Sequence, residues 1–189
     1  QIGIKHENSR VIANNNCGSM GYDLPAAIGS AVASKKEVIC VTGDGSIMMN
    51  LQELQTIKHY NLPVKVVIFS NDGYNAFRQT CKNFFNGFNV GCDAESGVSF
   101  PSFEKVADTF GYGYKCCHSN GELDECLDWL FSQGQVILEV EQRLDDPITP
   151  KVMSRINDKG EFVTPSIEDM YPFIDEEEYK SLMIGDING

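Results

Sequence analysis

No stretch of this chain approaches the roughly 18 consecutive apolar residues that a membrane-spanning helix needs. Basic residues are scarce: 15 Lys and Arg stand against 27 Asp and Glu, a formal net charge of −12. Such a surface repels phosphate backbones and anionic lipid, so nucleic acid and membrane are poor partners. The excess acid is concentrated late, at Asp145-Asp146, Glu168-Asp169 and Asp175 to Glu178, and reads as a solvated face. The three histidines, at 6, 59 and 118, are too scattered to read as ligands or bases. No Cys-x-x-Cys pair occurs among the seven cysteines (17, 40, 81, 92, 116, 117 and 126), and the count is odd. Neither a zinc site nor a disulfide framework is indicated, and the default compartment is a reducing cytoplasm. Residues Gln1 to Lys5 show no initiator Met and no signal-peptide pattern. The expectation is a piece of a longer chain.

What is present suits a globular domain. Of the 189 residues, 42% are apolar, with eleven Phe and seven Tyr to build a core. Gly18-Ser19-Met20-Gly21 marks a turn, and Pro25 opens a helix rich in Ala and Gly, with Asp23 as its candidate cap. Val38 to Val41 and Val64 to Phe69 are short apolar runs, the pattern of strands buried on both faces of a parallel sheet. Between them, Leu51, Leu54 and Ile57 have helical spacing, so a helix is expected after Gly43-Asp44-Gly45-Ser46. Residues 77–101 show no clear period and suggest a functional loop or lid. Helices are expected from Pro101 and over Glu122 to Phe131, an edge strand over Tyr112 to Cys117, and a last buried strand over Gln135 to Val140. The alternation predicts a doubly wound, mostly parallel sheet with helices on both faces over residues 1–145. Four prolines and many charges predict an extended C-terminal tail over 146–189.

Ligands of such sheets bind at the carboxyl ends of the strands. Two polar loops fall there. Glycines in Gly43-Asp44-Gly45-Ser46 leave backbone N–H groups open to an anion, and the following helix start adds a favourable dipole. Asp44 supplies a hard oxygen. Alone, this tetrapeptide reads first as a tight turn in which Asp44 caps the helix. The second loop, Ser70-Asn71-Asp72-Gly73, begins one helix-and-strand unit later, with Asn71 27 residues after Asp44. Adjacent parallel strands would set both loops side by side. The Asp44 carboxylate, the Asn71 amide oxygen and a carbonyl of the Asp72-Gly73 turn are donors that suit Mg²⁺ on a diphosphate. Neither loop contains a basic residue.

Gly43-Asp44-Gly45-Ser46 followed by Asn71-Asp72-Gly73-Tyr74 resembles the signature of thiamine-diphosphate enzymes. The first Asn of the family's pair is Ser70 here. Upstream, Gly18-Ser19-Met20-Gly21 and Leu24-Pro25-Ala26-Ala27-Ile28-Gly29 resemble the segment that precedes the signature in acetohydroxyacid (acetolactate) synthases, and Leu51-Gln52-Glu53-Leu54 and Leu62-Pro63-Val64-Lys65 fit as well. The resemblance covers roughly residues 10–145.

The resemblance implies that Asp44, Asn71 and the Gly73 carbonyl hold Mg²⁺. It implies that Gly45 and Ser46 touch the diphosphate, with Tyr74 and Ala76 alongside. The Gly18 carbonyl would accept from the aminopyrimidine, and Met20 would wedge the cofactor into its bent form; without the flanking motif, Met20 reads first as core filling. The implied chemistry is decarboxylation of a 2-keto acid such as pyruvate and ligation of the two-carbon unit to an acceptor. Simple 2-keto-acid decarboxylation, or a non-catalytic diphosphate- or nucleotide-binding module, are the alternatives. No catalytic residue falls in this stretch. The family draws its activating glutamate from a pyrimidine-binding domain, of the parent chain or a partner subunit, so a homodimer or homotetramer is implied and the stretch alone is expected to be inactive. Flavin (FAD) dependence of the parent enzyme is left open. Gln79-Thr80-Cys81 stands where the synthases carry Gln-Trp-Gln. The tail motif Asp146 to Lys151 resembles synthase-like proteins of bacterial surface-sugar biosynthesis, with Phe84, Phe85 and the loop to Phe100 as a candidate acceptor pocket or as simple packing.

Overall fold

The computed structural model describes residues 9–14, 17–143, 149–157 and 159–182. Asp145-Asp146, and with it Asp146 to Ile148 of the tail motif, lies outside the described residues, as does His6. The chain forms two compact units, Gln1–Asp145 and Asp146–Gly189.

The first unit alternates helix and strand. Helix α1 (Asp23–Ser34) leads to β1 (Val38–Gly43), the short α2 (Asp44–Ile47), α3 (Glu53–His59) and β2 (Val64–Ser70). Then come α4 (Asn75–Phe84), α5 (Phe103–Phe110), β3 (Gly113–Cys117), α6 (Leu123–Ser132) and β4 (Val136–Glu141). The strands make one parallel sheet in the order β1-β2-β4-β3.

Period-2 alternation divides the strand residues between two faces. On one, Val66, Ile68 and Ile137 pack with Leu24, Ala27 and Ala31 of α1, Leu54 and Ile57 of α3, and Phe103 and Ala107 of α5. On the other, Val67, Val136 and Leu138 pack with Cys126 and Leu130 of α6. Helices therefore cover both faces, the doubly wound arrangement. Ser102 caps α5 by accepting from the Lys105 N–H, and the left-handed Gly111 ends it.

Four local expectations are corrected. β1 is not buried on both faces: it is an edge strand, and Val41 is 56% exposed. A four-residue apolar run cannot tell which side its neighbours cover. The helix after the Gly-Asp-Gly turn is broken: α2 ends at Ile47, and α3 starts at Glu53 after tight turns at Ser46–Asn50 and Leu51–Leu54. The expected lid is helical up to Phe84, with Phe77, Cys81 and Phe84 at i, i+4 and i+7. Of these three only Cys81 is buried, so the apolar face of α4 is largely open in this chain. Asp23 does not cap α1 from outside: it is the first residue of the helix, its Oδ1 accepts the Leu24 N–H at 2.8 Å, and its Oδ2 is used elsewhere.

The second unit holds a two-stranded antiparallel ladder, β5 (Arg155–Ile156) with β6 (Phe162–Val163), and α7 (Glu176–Leu182). The expected extended tail thus carries short elements of its own. Its buried Asp169 pairs with Arg155 at 3.4 Å. Among the described residues no helix is long and apolar enough to cross a membrane.

Candidate functional site: a metal and diphosphate cleft

The register of β1 against β2 places Gly43 opposite Phe69. The chain leaves both strands at the same edge, so the Asp44 and Asn71 loops emerge side by side. Asp44 is 3% exposed. Its Oδ1 accepts the Gly45 N–H at 2.7 Å, and its Oδ2 accepts the N–H of Asn71 at 2.8 Å and of Gly73 at 3.4 Å. A carboxylate can accept about four hydrogen bonds, so a lone pair remains. A buried carboxylate is costly unless its charge is compensated. A divalent cation at the remaining lone pair would supply that compensation, and the donor set of hard oxygens fits Mg²⁺.

Arg78, one turn into α4, completes this corner. Its Nη2 donates to the Asn71 carbonyl and to Asn71 Oδ1, both at 3.1 Å. The guanidinium thereby holds the side-chain amide and backbone of Asn71 together. The loops themselves contain no basic residue, yet a cation reaches back to them from four residues beyond Tyr74. Sequence spacing could have found Arg78 only with α4 recognised as a helix.

Close approach explains the glycines. A Cβ on Gly45 would lie 2.2 Å from the Tyr74 ring, and one on Gly73 would lie 2.2 Å from the Cys92 carbonyl. The Tyr74 N–H donates to that same carbonyl at 2.8 Å. The Tyr74 ring also meets Phe100 edge to face, centroids 5.8 Å apart. The loop around Cys92 therefore fixes the aromatic wall over Gly45.

A second network ties in the Gly18–Gly21 turn. Ser46 Oγ donates to Asp23 Oδ2 at 2.7 Å and accepts the Gly21 N–H at 3.0 Å. Thr42 Oγ1 also donates to Asp23, and Asn50 Nδ2 donates to the Gly21 carbonyl at 2.6 Å. Gly21, at φ 79°, has no room for a side chain against Met49. Asp23 was missed by sequence reading, because a helix-start acid looks like a cap. Here it is the acceptor that locks Ser46.

These loops enclose a cleft of about 840 Å³. Met20, Asp44, Gly45, Ser46, Asn71, Gly73, Tyr74 and Ala76 all line it, together with Asp23, Val41, Phe69, Phe77, Val90 and Gln142. Gly18 does not line it; it sits in the left-handed region at φ 57° and donates its N–H to the Asn14 carbonyl. Met20 is 48% exposed, which excludes core filling. Phe84, Phe85 and Phe88 are exposed and do not line the cleft, so they form neither a pocket wall nor packed core.

Beneath the cleft, burial, reinforced by Asp23, pushes the Cys40 thiol up to about 12. Thiolate is the reactive form, so raising the pKa makes Cys40 inert at neutral pH. All seven cysteines are free, and Cys17 is exposed. Native protein at pH 8 is expected to lose its Cys17 thiol quickly to iodoacetamide, with Cys40 modified only after denaturation, as read by peptide mass mapping. Equal labelling of both in the native state contradicts this burial.

A parallel sheet with helices on both faces, and two acid- and amide-bearing loops converging on one cleft at its carboxyl edge, define a diphosphate-binding α/β domain. Residues 2–140 match the family described as thiamine pyrophosphate enzyme, C-terminal TPP binding domain, and the chain belongs to that family. It is 35% identical over 151 residues to the acetolactate synthase large subunit of Porphyra purpurea, covering 79% of this chain and 25% of that one. It is 34% identical over 131 residues to the acetolactate synthase isozyme 2 large subunit of Escherichia coli (strain K12), covering 68% and 23%. Among solved structures it is similar to the Rhodococcus jostii RHA1 thiamine diphosphate-dependent 4-hydroxybenzoylformate decarboxylase, with TM-score 0.60 and 26% identity, covering 69% of this chain and 24% of that one. The chain thus spans about a quarter of the length of these relatives.

Proposed function

We propose that this domain holds Mg²⁺ and the diphosphate of thiamine diphosphate in an enzyme that decarboxylates a pyruvate-like 2-keto acid and ligates the two-carbon unit to an acceptor. The observation that carries this reading is the Asn71 N–H on the Asp44 carboxylate at 2.8 Å, inside the cleft that also receives Met20. Asp44 Oδ, Asn71 Oδ1 and the Gly73 carbonyl are the metal donors. The Ser46 N–H faces the diphosphate and Gly45 lies against it with its own N–H held by Asp44, while the Ser46 hydroxyl stays committed to Asp23. Tyr74 and Ala76 flank it. Met20 supports the bent cofactor, and the Gly18 carbonyl accepts from its aminopyrimidine. The cofactor, when bound, supplies the electron sink for decarboxylation. This chain's part is to fix the diphosphate end and to exclude water with the Tyr74, Phe77 and Val90 side chains.

The other end of the cofactor needs a pyrimidine-binding domain, from the same polypeptide or from a partner subunit of a homodimer or homotetramer. The exposed apolar rim of Val41, Phe69, Phe77 and Val90 supports such a cover. Residues 1–145 form the binding domain and 146–189 an appended unit. The seven free thiols support a reducing, cytoplasmic setting.

The test is turnover of pyruvate by the intact protein with thiamine diphosphate and Mg²⁺, with products identified. A carboligated 2-hydroxy-3-keto acid is expected. Free aldehyde as the sole product makes the protein a simple decarboxylase. Nucleotide binding without metal-dependent thiamine-diphosphate binding overturns the enzyme reading.

A further inference from the structure

The carboxyl edge of the sheet carries a second group of ligating side chains, on β4 and β3, two and three strands away from the Asp44 loop. In β3 and just beyond it, alternation puts Cys116 and His118 on one face, while Cys117 turns to the α6 side and is buried. The β3–β4 register sets Cys116 beside Glu139 and Cys117 beside Val140. Its continuation sets His118 beside Glu141. Glu139 is occupied, accepting from the Tyr114 hydroxyl at 2.6 Å. The other three converge: one ligand atom each from Cys116, His118 and Glu141 lies within 4.8 Å of the other two. His118 Nδ1 is 2.9 Å from Glu141 Oε2 and 3.7 Å from Cys116 Sγ. Glu122 fixes the backbone at this point, accepting the His118 N–H at 3.0 Å and the Ser119 hydroxyl at 3.2 Å.

We infer that Cys116, His118 and Glu141 form a binding site for a borderline-soft divalent cation of the Zn²⁺ class. Bond lengths of about 2.0–2.3 Å in a tetrahedral shell separate neighbouring ligand atoms by about 3.3–3.8 Å. The Cys116–His118 separation already has that value, and the Glu141–His118 contact needs to open by less than about 1 Å, which exposed side chains can supply. One thiolate, one imidazole and one carboxylate match Zn²⁺ better than Mg²⁺, which selects oxygen donors. With three protein ligands the fourth position is left for water or another ligand. Binding needs the Cys116 thiolate and a neutral His118, so it releases the thiol proton and any proton that His118 carries. None of its three residues lines the proposed cofactor cleft, although Gln142, next to Glu141, does.

The experiment uses chelator-stripped intact protein kept in saturating Mg²⁺ and thiamine diphosphate, titrated with Zn²⁺ by calorimetry and with Co²⁺ by absorption. One Zn²⁺ per chain is expected, and Co²⁺ should give a near-ultraviolet thiolate-to-metal band. Cys116→Ala should abolish that band and weaken Zn²⁺ binding by more than the roughly 10–100-fold seen for outer-shell partners. Glu141→Gln should weaken it by about tenfold or more. His118→Ala gives the same reading should Cys116→Ala fail to fold, as checked by circular dichroism. Zn²⁺ binding of wild-type stoichiometry and affinity in Cys116→Ala or His118→Ala, or a cobalt band that survives in Cys116→Ala, overturns the assignment.

Discussion

Asp44→Asn is expected to weaken Mg²⁺-dependent thiamine-diphosphate binding by at least about a hundredfold, since a hard divalent ion loses its only buried carboxylate in this cleft. The choice of Asn over Ala follows from the local geometry. Asp44 accepts N–H groups of Gly45, Asn71 and Gly73. Ala would strand these donors at a cost of about 1–3 kcal/mol each where they stay buried, and loss of fold would then confuse the result. Asn keeps the shape and one acceptor oxygen, enough for the Asn71 and Gly73 N–H groups that share Oδ2, while removing the charge; only the Gly45 N–H loses its acceptor. Calorimetry with cofactor, with and without Mg²⁺, reads the affinity, and thermal denaturation of the apo form reads the fold. Metal-dependent affinity unchanged from wild type would remove Asp44 from the metal site. Asn71→Ala should act in the same direction on binding. It also frees Arg78, so its effect mixes a lost metal donor with a lost positional contact.

The second large effect is expected at Gly45. A methyl group there would stand 2.2 Å from the Tyr74 ring, far inside contact distance, and something must move. Overpacking of this kind costs about 1–3 kcal/mol. The backbones of Gly45 and Tyr74 are both held, by Asp44 and by the Cys92 carbonyl, so it is the Tyr74 side chain that must turn. Gly45→Ala should therefore displace Tyr74 into the cleft, reduce stability and largely abolish cofactor binding. The double variant Gly45→Ala/Tyr74→Ala should recover most of the stability without restoring wild-type affinity. Thermal melts of the two variants, paired with cofactor titrations, separate the effects. A single variant as stable as wild type would show that Tyr74 does not pack on Gly45.

How much of this was legible in the sequence depends on the range of the interactions. The Asp44–Asn71 pairing was readable because one helix and one strand separate two adjacent parallel strands, so chain spacing nearly fixes spatial proximity. The order of strands and helices was readable from short apolar runs and helical periodicity. The Met20 turn could be placed in the site only through its resemblance to known enzymes. What joins it physically is the Ser46–Asp23 and Ser46–Gly21 hydrogen bonds, which span 23 and 25 residues and leave no periodic trace.

The reading of 77–101 as an aperiodic loop or lid failed over its first part, up to Phe84, for a related reason. Phe77, Cys81 and Phe84 have helical spacing, but two of the three stay exposed, and the glycines after Phe85 mask the pattern. Missing α4 meant missing Arg78. The histidines looked scattered because Glu141, the partner of His118, comes from another strand.

By itself, then, the sequence determined the alternating α/β class and the two loops at the strand ends, both of them consequences of short-range pattern and fixed strand spacing. Only the tertiary structure decided that β1 keeps an open face, that Arg78 and Asp23 hold Asn71 and Ser46, and that Cys116, His118 and Glu141 meet. Each of these depends on which side of the sheet a side chain finds its neighbour, and that is set by packing and register between strands.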